Sequence, residues 1–489
     1  MRKAPLRTAI IALCLQATVA SAGGFEFPDH AATAMSRGGS AVAATEGTSA
    51  IYYNPAGLAD LDGLQLMLDG ELALMSTSFQ RKADDGSGNF VNVGQQVSNS
   101  RNPWVAPFGA VSYQVLDGLT VGIAGYGPSA FAWQRYPDPR DLQPTAWDGD
   151  YSNDPTDYTA TEQGAPQRYN LIDSSILLAF PSIAVAYRPV KWVSFGATGQ
   201  ALMGGTSFSM ALYAGLAAGE DPASDAIGSL DVKARPTFTS ILGLQVHPLD
   251  ELSVGVSWRP GFTVASDGTL DLQFSDGLAG LAELLGQDLE QTGNTTTFYN
   301  DFPDVIRLGV AYRGKGWLAE IGGTYEGWSR VEAFDVTTDE IVVWMGDEQI
   351  EVPPISIPKN WDDTLSFRLG GAFALGELLG KDLPLTVRAG YVFETGAIPD
   401  STMALDFISA PRNQLTLGAS YDLGPITVNA AATRIFQKTV EVTTSEVPQV
   451  AAPPPGFPPY EGSMVGNGTY AANYTLFILG VEGHFLAAD

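Results

Sequence analysis

The chain has 489 residues, 45% of them hydrophobic and only 16% charged, with 26 Lys and Arg against 54 Asp and Glu for a net charge of −28. Soluble domains carry about 25% charged residues, so this composition is unusually apolar for a secreted soluble protein. The acidic excess excludes a nucleic-acid partner, because no basic cluster offsets the repulsion of a polyanion.

Residues 1–22 read as a secretory signal peptide. Arg2, Lys3 and Arg7 precede an apolar run from Thr8 to Ala20, and Ala20-Ser21-Ala22 places a cleavage site before Gly23. The leader removes three positive charges and no acids, taking the net charge from −28 to −31. It also removes Cys14, the one cysteine, so the mature chain has no disulfide, thiolate ligand or Cys nucleophile. No later stretch reaches the roughly 18 uninterrupted apolar residues of a membrane-spanning helix. The nearest, Leu171 to Tyr187, is interrupted by Asp173, two serines and Pro181.

Residues 23–63 lack strand alternation and are rich in Gly, Ala and Ser. Across 64–489 the pattern has period two. Leu415, Leu417, Ala419, Tyr421 and Leu423, for example, alternate with Thr416, Gly418, Ser420 and Asp422. Fourteen such runs fall near 64–79, 104–116, 119–127, 181–188, 191–212, 229–247, 251–272, 296–313, 316–336, 364–375, 384–395, 412–422, 425–445 and 468–486. Six connections are short, one of them a turn around Pro189. Seven are long: 80–103, 128–180, 213–228, 273–295, 337–363, 396–411 and 446–467. Short and long alternate without exception, the mark of an up-and-down barrel with tight turns at one end and large loops at the other. The expected fold is all-β, a 14-stranded antiparallel transmembrane β-barrel. Fourteen strands enclose more space than their own side chains fill, so residues 23–63 are expected to plug the lumen.

That segment holds Gly24-Phe25-Glu26-Phe27, then Ser36-Arg37-Gly38-Gly39-Ser40-Ala41, then Asn54-Pro55-Ala56-Gly57-Leu58 just before the first strand. It resembles the hatch of the FadL/TodX family of outer-membrane transport proteins. The resemblance implies a multi-pass barrel in the bacterial outer membrane with both termini periplasmic. It also implies passive uptake of hydrophobic molecules, with long-chain fatty acids first and aromatic hydrocarbons second. Cargo would be captured by the loops, held in an internal pocket, and released sideways into the bilayer through an interrupted third strand. No cofactor is implied, and a monomer surrounded by lipid and lipopolysaccharide is expected.

The residues supply candidates for each part. Leu278, Leu281, Leu284, Leu285 and Leu289 form an amphipathic helical stripe in a long loop, and Met210, Leu212, Tyr213 and Leu216 begin the neighbouring one. These would make the capture groove, or else pack onto the barrel rim. Gly125, Gly127 and Pro128 should end ladder pairing in the third strand, either as a lateral opening or as an ordinary strand end. Phe25, Asn54, Pro55 and Ala56 are the candidate gate, with Pro55 fixing a rigid bend. Arg307, Glu320, Arg368 and Arg388 should face the lumen, where they anchor the plug, pair structurally, or meet a substrate carboxylate.

The three histidines, His30, His247 and His484, show no metal-ligand spacing, so no metal site is expected. They are also misplaced for a Ser-His hydrolase, so the chain is not expected to be an enzyme. The acidic run 137–157 reads as a solvated loop or a divalent-cation site. A general hydrophilic porin remains the rival class, distinguished by a large, steady ohmic current.

Overall fold

The computed structural model describes residues 24, 30–127, 133–139, 165–215, 224–450 and 463–486. The leader, Phe25, Pro128, Leu216 and the acidic run beyond residue 139 lie outside the described residues. Fourteen wall strands are numbered here in chain order. They are β1 (Leu64–Asp84), β2 (Trp104–Leu116), β3 (Leu119–Tyr126), β4 (Ser182–Val190), β5 (Val193–Tyr213), β6 (Thr237–Leu249) and β7 (Leu252–Arg259). The second half comprises β8 (Val305–Gly314), β9 (Trp317–Glu326), β10 (Thr364–Ala374), β11 (Leu385–Glu394), β12 (Arg412–Asp422), β13 (Ile426–Gln437) and β14 (Gly468–Phe485).

Each strand pairs antiparallel with the next. The last returns to the first from Leu64↔Phe485 to Arg81↔Gly468, so the ring has no free edge. Period two then decides what each surface meets. Leu68, Ile123, Ile183, Phe195, Leu308, Leu365, Leu417 and Leu479 stand exposed on the outside. Such a belt is stable only against hydrocarbon. Tyr113, Tyr187, Trp192, Tyr312, Trp317 and Tyr421 gather toward the short turns, where an interfacial aromatic girdle belongs.

Several runs differ from the sequence expectation. Those at 229–247, 251–272, 296–313 and 316–336 are each two strands, broken at Pro236, Pro260-Gly261, Pro303 and Gly327. Pro181 likewise separates Asp173–Ala179 from β4. Proline has no N–H for the ladder and a fixed φ, so the chain bends where a period-two count sees continuity. Beyond the bends, Asp173–Ala179, Asp225–Ala234, Phe262–Phe274, Thr295–Phe302 and Ala333–Asp339 pair into a second sheet with the far half of β5. The turn expected around Pro189 lies at Lys191-Trp192. Pro189 stays inside β4, where the register slips between Tyr187 and Val190. The inner face is also less polar than the alternation implied: Met75, Phe79, Tyr470, Tyr474 and Leu476 are buried within β1 and β14.

An outward charge tests the lipid-facing assignment. Leu417→Arg, near the middle of β12, should cost about 2–4 kcal/mol of folding free energy in lipid vesicles, measured by denaturant titration. A cost near zero would place that face in water.

Candidate functional site

Residues 30–61 lie against the inner faces of the wall strands and are almost wholly buried. Glycine makes room for them. A Cβ on Gly196, Gly243, Gly255, Gly370, Gly390 or Gly418 would stand 2.1 to 2.4 Å from atoms of Ser36, Arg37, Val42, Asn54 or Pro55. Any larger residue at these places would drive the segment out.

Each residue of Asn54-Pro55-Ala56-Gly57-Leu58 has a separate task. Asn54 caps the short 3-10 helix Pro55–Asp60 by accepting from the Ala56 N–H at 3.2 Å. Its amide also donates to Val42 O at 2.8 Å and to Leu244 O of β6 at 3.1 Å. Pro55 occupies the first helical position, where a missing N–H costs nothing. Ala56 lies against the Gly196 and Gly243 surface, and a Cβ on Gly57 would stand 1.9 Å from Thr45 Oγ1. Leu58 is fully buried.

All four lumen charges singled out from the sequence touch this segment. Glu320 accepts from three consecutive backbone N–H groups, Val42 at 2.8 Å, Ala43 at 2.9 Å and Ala44 at 3.1 Å. The Arg37 guanidinium sits 3.6 Å from the same carboxylate. Arg388 donates to Glu46 through Nε at 3.0 Å and Nη2 at 2.7 Å. Arg368 donates to Gly38 O at 2.6 Å. Arg307, 3% exposed, stacks its guanidinium 4.7 Å from the Tyr52 ring. Its Nη1 has no hydrogen-bond partner among the described residues. Glu46 escaped the sequence reading, which weighed only charges on the strands. Burial raises its pKa, but Arg388 and then Arg37 outweigh burial and hold the carboxyl below its ordinary range.

Toward the long connections lies a cavity open to solvent. Its wall is mostly apolar, including Phe208, Leu230, Phe298, Phe334, Val336 and Ile357, with Lys359 and Asp406 set among them. Phe298 and Phe334 meet edge to face at 5.6 Å, the geometry ring quadrupoles favour. Met210 and Leu212, expected at the capture groove, also line it. The other lining residues did not stand out in the sequence, because they are drawn from several long connections and from strand ends on both sides of the proline bends.

The third strand, β3, ends at Tyr126, whose C=O accepts from the Phe180 N–H at 2.7 Å. Its ladder pairing with β2 runs to Tyr126, and among the described residues pairing is seen again at Trp133–Arg135. A Cβ at Gly125 would meet nothing within 4 Å, whereas one at Gly127 would stand 2.8 Å from Leu178 O. Inside the break, Tyr126, Phe108, His30, Tyr52 and Phe180 pack as a ring cluster with centroids 4.7 to 6.0 Å apart. Of the expected leucine stripe, Leu278, Leu281 and Leu284 lie on the helix Asp276–Leu284 and Leu285 caps its end. Leu289 instead begins a short strand, Leu289–Thr292, that pairs with Val342–Met345, so the stripe is shorter than expected and splits between two environments. Leu278 is 5% exposed and packs inward, Leu281 is half-buried, and Leu284 and Leu285 are 83% and 53% exposed. Tyr213 is buried at the end of β5, where its N–H donates to Val450 O at 2.9 Å. None of these loop residues lines the cavity.

Comparison with known proteins agrees with the barrel fold. The sequence profile of the family described as outer membrane protein transport protein (OMPP1/FadL/TodX) matches residues 13–139 and 156–475. Among solved structures, a FadL homologue from Pseudomonas aeruginosa is similar over 95% of this chain and all of its own, with 16% identity and a TM-score of 0.71. The toluene transporter TodX from P. putida is similar over 94% of this chain and all of its own, with 16% identity and a TM-score of 0.64. At such identities the likeness is one of fold. An outer membrane protein of Neisseria meningitidis serogroup B is 34% identical over 110 residues, which span 22% of this chain and 23% of that relative.

Glu320→Gln keeps the shape and removes the charge from the three N–H contacts. It should weaken anchorage of residues 30–61 by about 1–3 kcal/mol, raising protease cleavage within the segment and current through planar bilayers; unchanged cleavage and current would contradict the anchoring role. The depressed Glu46 carboxyl sets a pH window. Its contribution is complete above the unfolded carboxyl value of about 4.3 and is lost as pH falls through its lower folded value. Current should therefore stay level from pH 8 to 5 and rise only in stronger acid, while Glu46→Gln should show the raised level throughout.

Proposed function

This chain belongs to the OMPP1/FadL/TodX family of outer membrane transport proteins, and we propose that it imports hydrophobic small molecules across the outer membrane by passive diffusion. The family is one of transport channels rather than enzymes. The observation that carries the reading is the apolar-walled cavity at the long-connection end of the barrel, above the buried residues 30–61. An open hydrophilic pore has no use for either feature.

In this reading Leu281, Leu284 and Leu285 meet the cargo at the outer surface and the cavity holds it. The segment carrying Asn54, Pro55 and Ala56 is the hatch that bars the way below. Cargo leaves through the wall at the break after Tyr126, past Gly125 and Gly127. Lateral exit is physically favoured: an apolar molecule sliding into the bilayer recovers about 0.8 kcal/mol per methylene that an aqueous route forfeits. Long-chain fatty acids and aromatic hydrocarbons are the two cargo classes suited to such a cavity. The barrel acts as a monomer, its rim among lipid and lipopolysaccharide and both termini periplasmic.

Labelled oleate and labelled toluene, offered separately to an outer-membrane strain lacking its own transporter, should accumulate above the empty-vector level for at least one of the two. No gain for either sinks the proposal. Leu284→Asp with Leu285→Asp touches only exposed side chains, so the barrel should fold normally while initial uptake falls about three- to ten-fold, a loss of capture on the order of 1 kcal/mol. Uptake equal to wild type would remove the helix from the route.

A further inference from the structure

We propose that the cavity takes its cargo uncharged, because Asp406 cancels the one lysine in its wall; the inference rests on the transport reading above. Lys359 and Asp406 are the charged side chains among the described lining residues. Lys359 is 2% exposed, and its Nζ donates to Asp406 Oδ2. The same ammonium lies 4.7 Å from the Phe334 ring centroid. Asp406 Oδ1 is occupied as well, accepting from the Phe407 N–H at 2.8 Å.

Both residues are held in place by their backbones. The Lys359 N–H donates to Glu332 O at 2.8 Å, and Lys359 O accepts from Thr402 Oγ1 at 2.6 Å. Asp406 O accepts from Gln134 Nε2 at 3.0 Å. These contacts fix the two backbones, while the side chains are held by their own ion pair, the Phe334 ring and the Phe407 N–H.

A buried charge is tolerated only with a partner and hydrogen bonds of its own. An ionised carboxylate entering this cavity would find the one cation among its described lining residues already neutralised and a like charge beside it. A neutral molecule asks only for the apolar wall. The neighbouring cations are committed elsewhere: Arg168 Nε donates to Asp225 at 2.6 Å and Arg412 Nη2 to Glu394 at 2.6 Å. Arg307 stacks on Tyr52 of the N-terminal segment and is not among the lining residues. The geometry therefore favours an aromatic hydrocarbon, or an acyl chain with an uncharged head, over an ionised fatty acid. Asp406 becomes the residue that sets this preference.

Dodecanol and dodecanoate share a chain and differ in charge, which makes them the test pair. Binding of each to the purified full-length barrel at pH 8 is measured with correction for partition into protein-free micelles. Wild type should bind dodecanol about ten-fold or more tightly than dodecanoate, a difference of roughly 1.4 kcal/mol. Asp406→Asn frees the ammonium, so dodecanoate affinity should rise about ten-fold while dodecanol stays within about two-fold. The double variant Lys359→Met, Asp406→Asn should return to the wild-type preference. Equal affinities in wild type overturn the inference even if the variants fail to fold. So does an Asp406→Asn barrel that keeps its heat-modifiable gel migration and leaves dodecanoate affinity unchanged. A wild-type chain that binds neither dodecanol nor naphthalene overturns the transport reading, and this inference with it.

Discussion

In hydrocarbon, a backbone N–H or C=O without a partner costs several kcal/mol, and no water is there to supply one. Ring closure from β14 back to β1 meets that demand with strands, and much of the architecture follows from it. Closure with fourteen strands produces a lumen that wall side chains cannot fill. The chain fills it with its own residues 30–61, and this reverses the usual requirement on inward-facing positions. They must be small where the segment's backbone approaches, which is why so many of the wall's glycines sit within van der Waals contact of residues 36–56. They must also be polar where its N–H and C=O groups would otherwise go unpaired. Glu320, Gln245, Thr198, Ser257 and Thr416 meet those groups from β9, β6, β5, β7 and β12.

The contacts to the segment are of two physical kinds. Neutral hydrogen bonds from Asn54, Thr198 and Ser257 fix its register and contribute about 1 kcal/mol each. The charged contacts of Glu320, Arg368 and Arg388 are stronger and directional, and they converge on residues 37–46. Residues 50–58 are held differently, with Ala50, Ile51, Tyr52, Tyr53 and Leu58 buried in the apolar cluster.

At the opposite end the proline bends do the organising. They detach the upper halves of several strands from the wall and let them pair among themselves. A cavity opens between this second sheet and the long connections, lined by side chains that a straight barrel would have pointed into lipid or water. Its wall holds a paired lysine and aspartate rather than a lone cation, so the cavity has positional polarity but no net charge.

What the sequence by itself determined is local and periodic. The alternating runs, the asymmetry of the connections and the Asn-Pro-Ala-Gly-Leu element all show within stretches of a few to twenty residues. Alternation even placed Arg307, Glu320, Arg368 and Arg388 on the lumen side, since side-chain direction along a strand is fixed by its pleat. The proline bends were written in the sequence too, at Pro236, Pro260 and Pro303, but a count of period two ran across them. Only the tertiary structure decided the rest. The cavity draws on Phe208, Phe298 and Phe334 from three separate strands, and its ion pair joins residues 47 apart. Glu46 finds Arg388 across 342 residues. Such meetings depend on how the ring closes and where each loop folds back, and no periodicity in the chain encodes which distant side chain will arrive beside another.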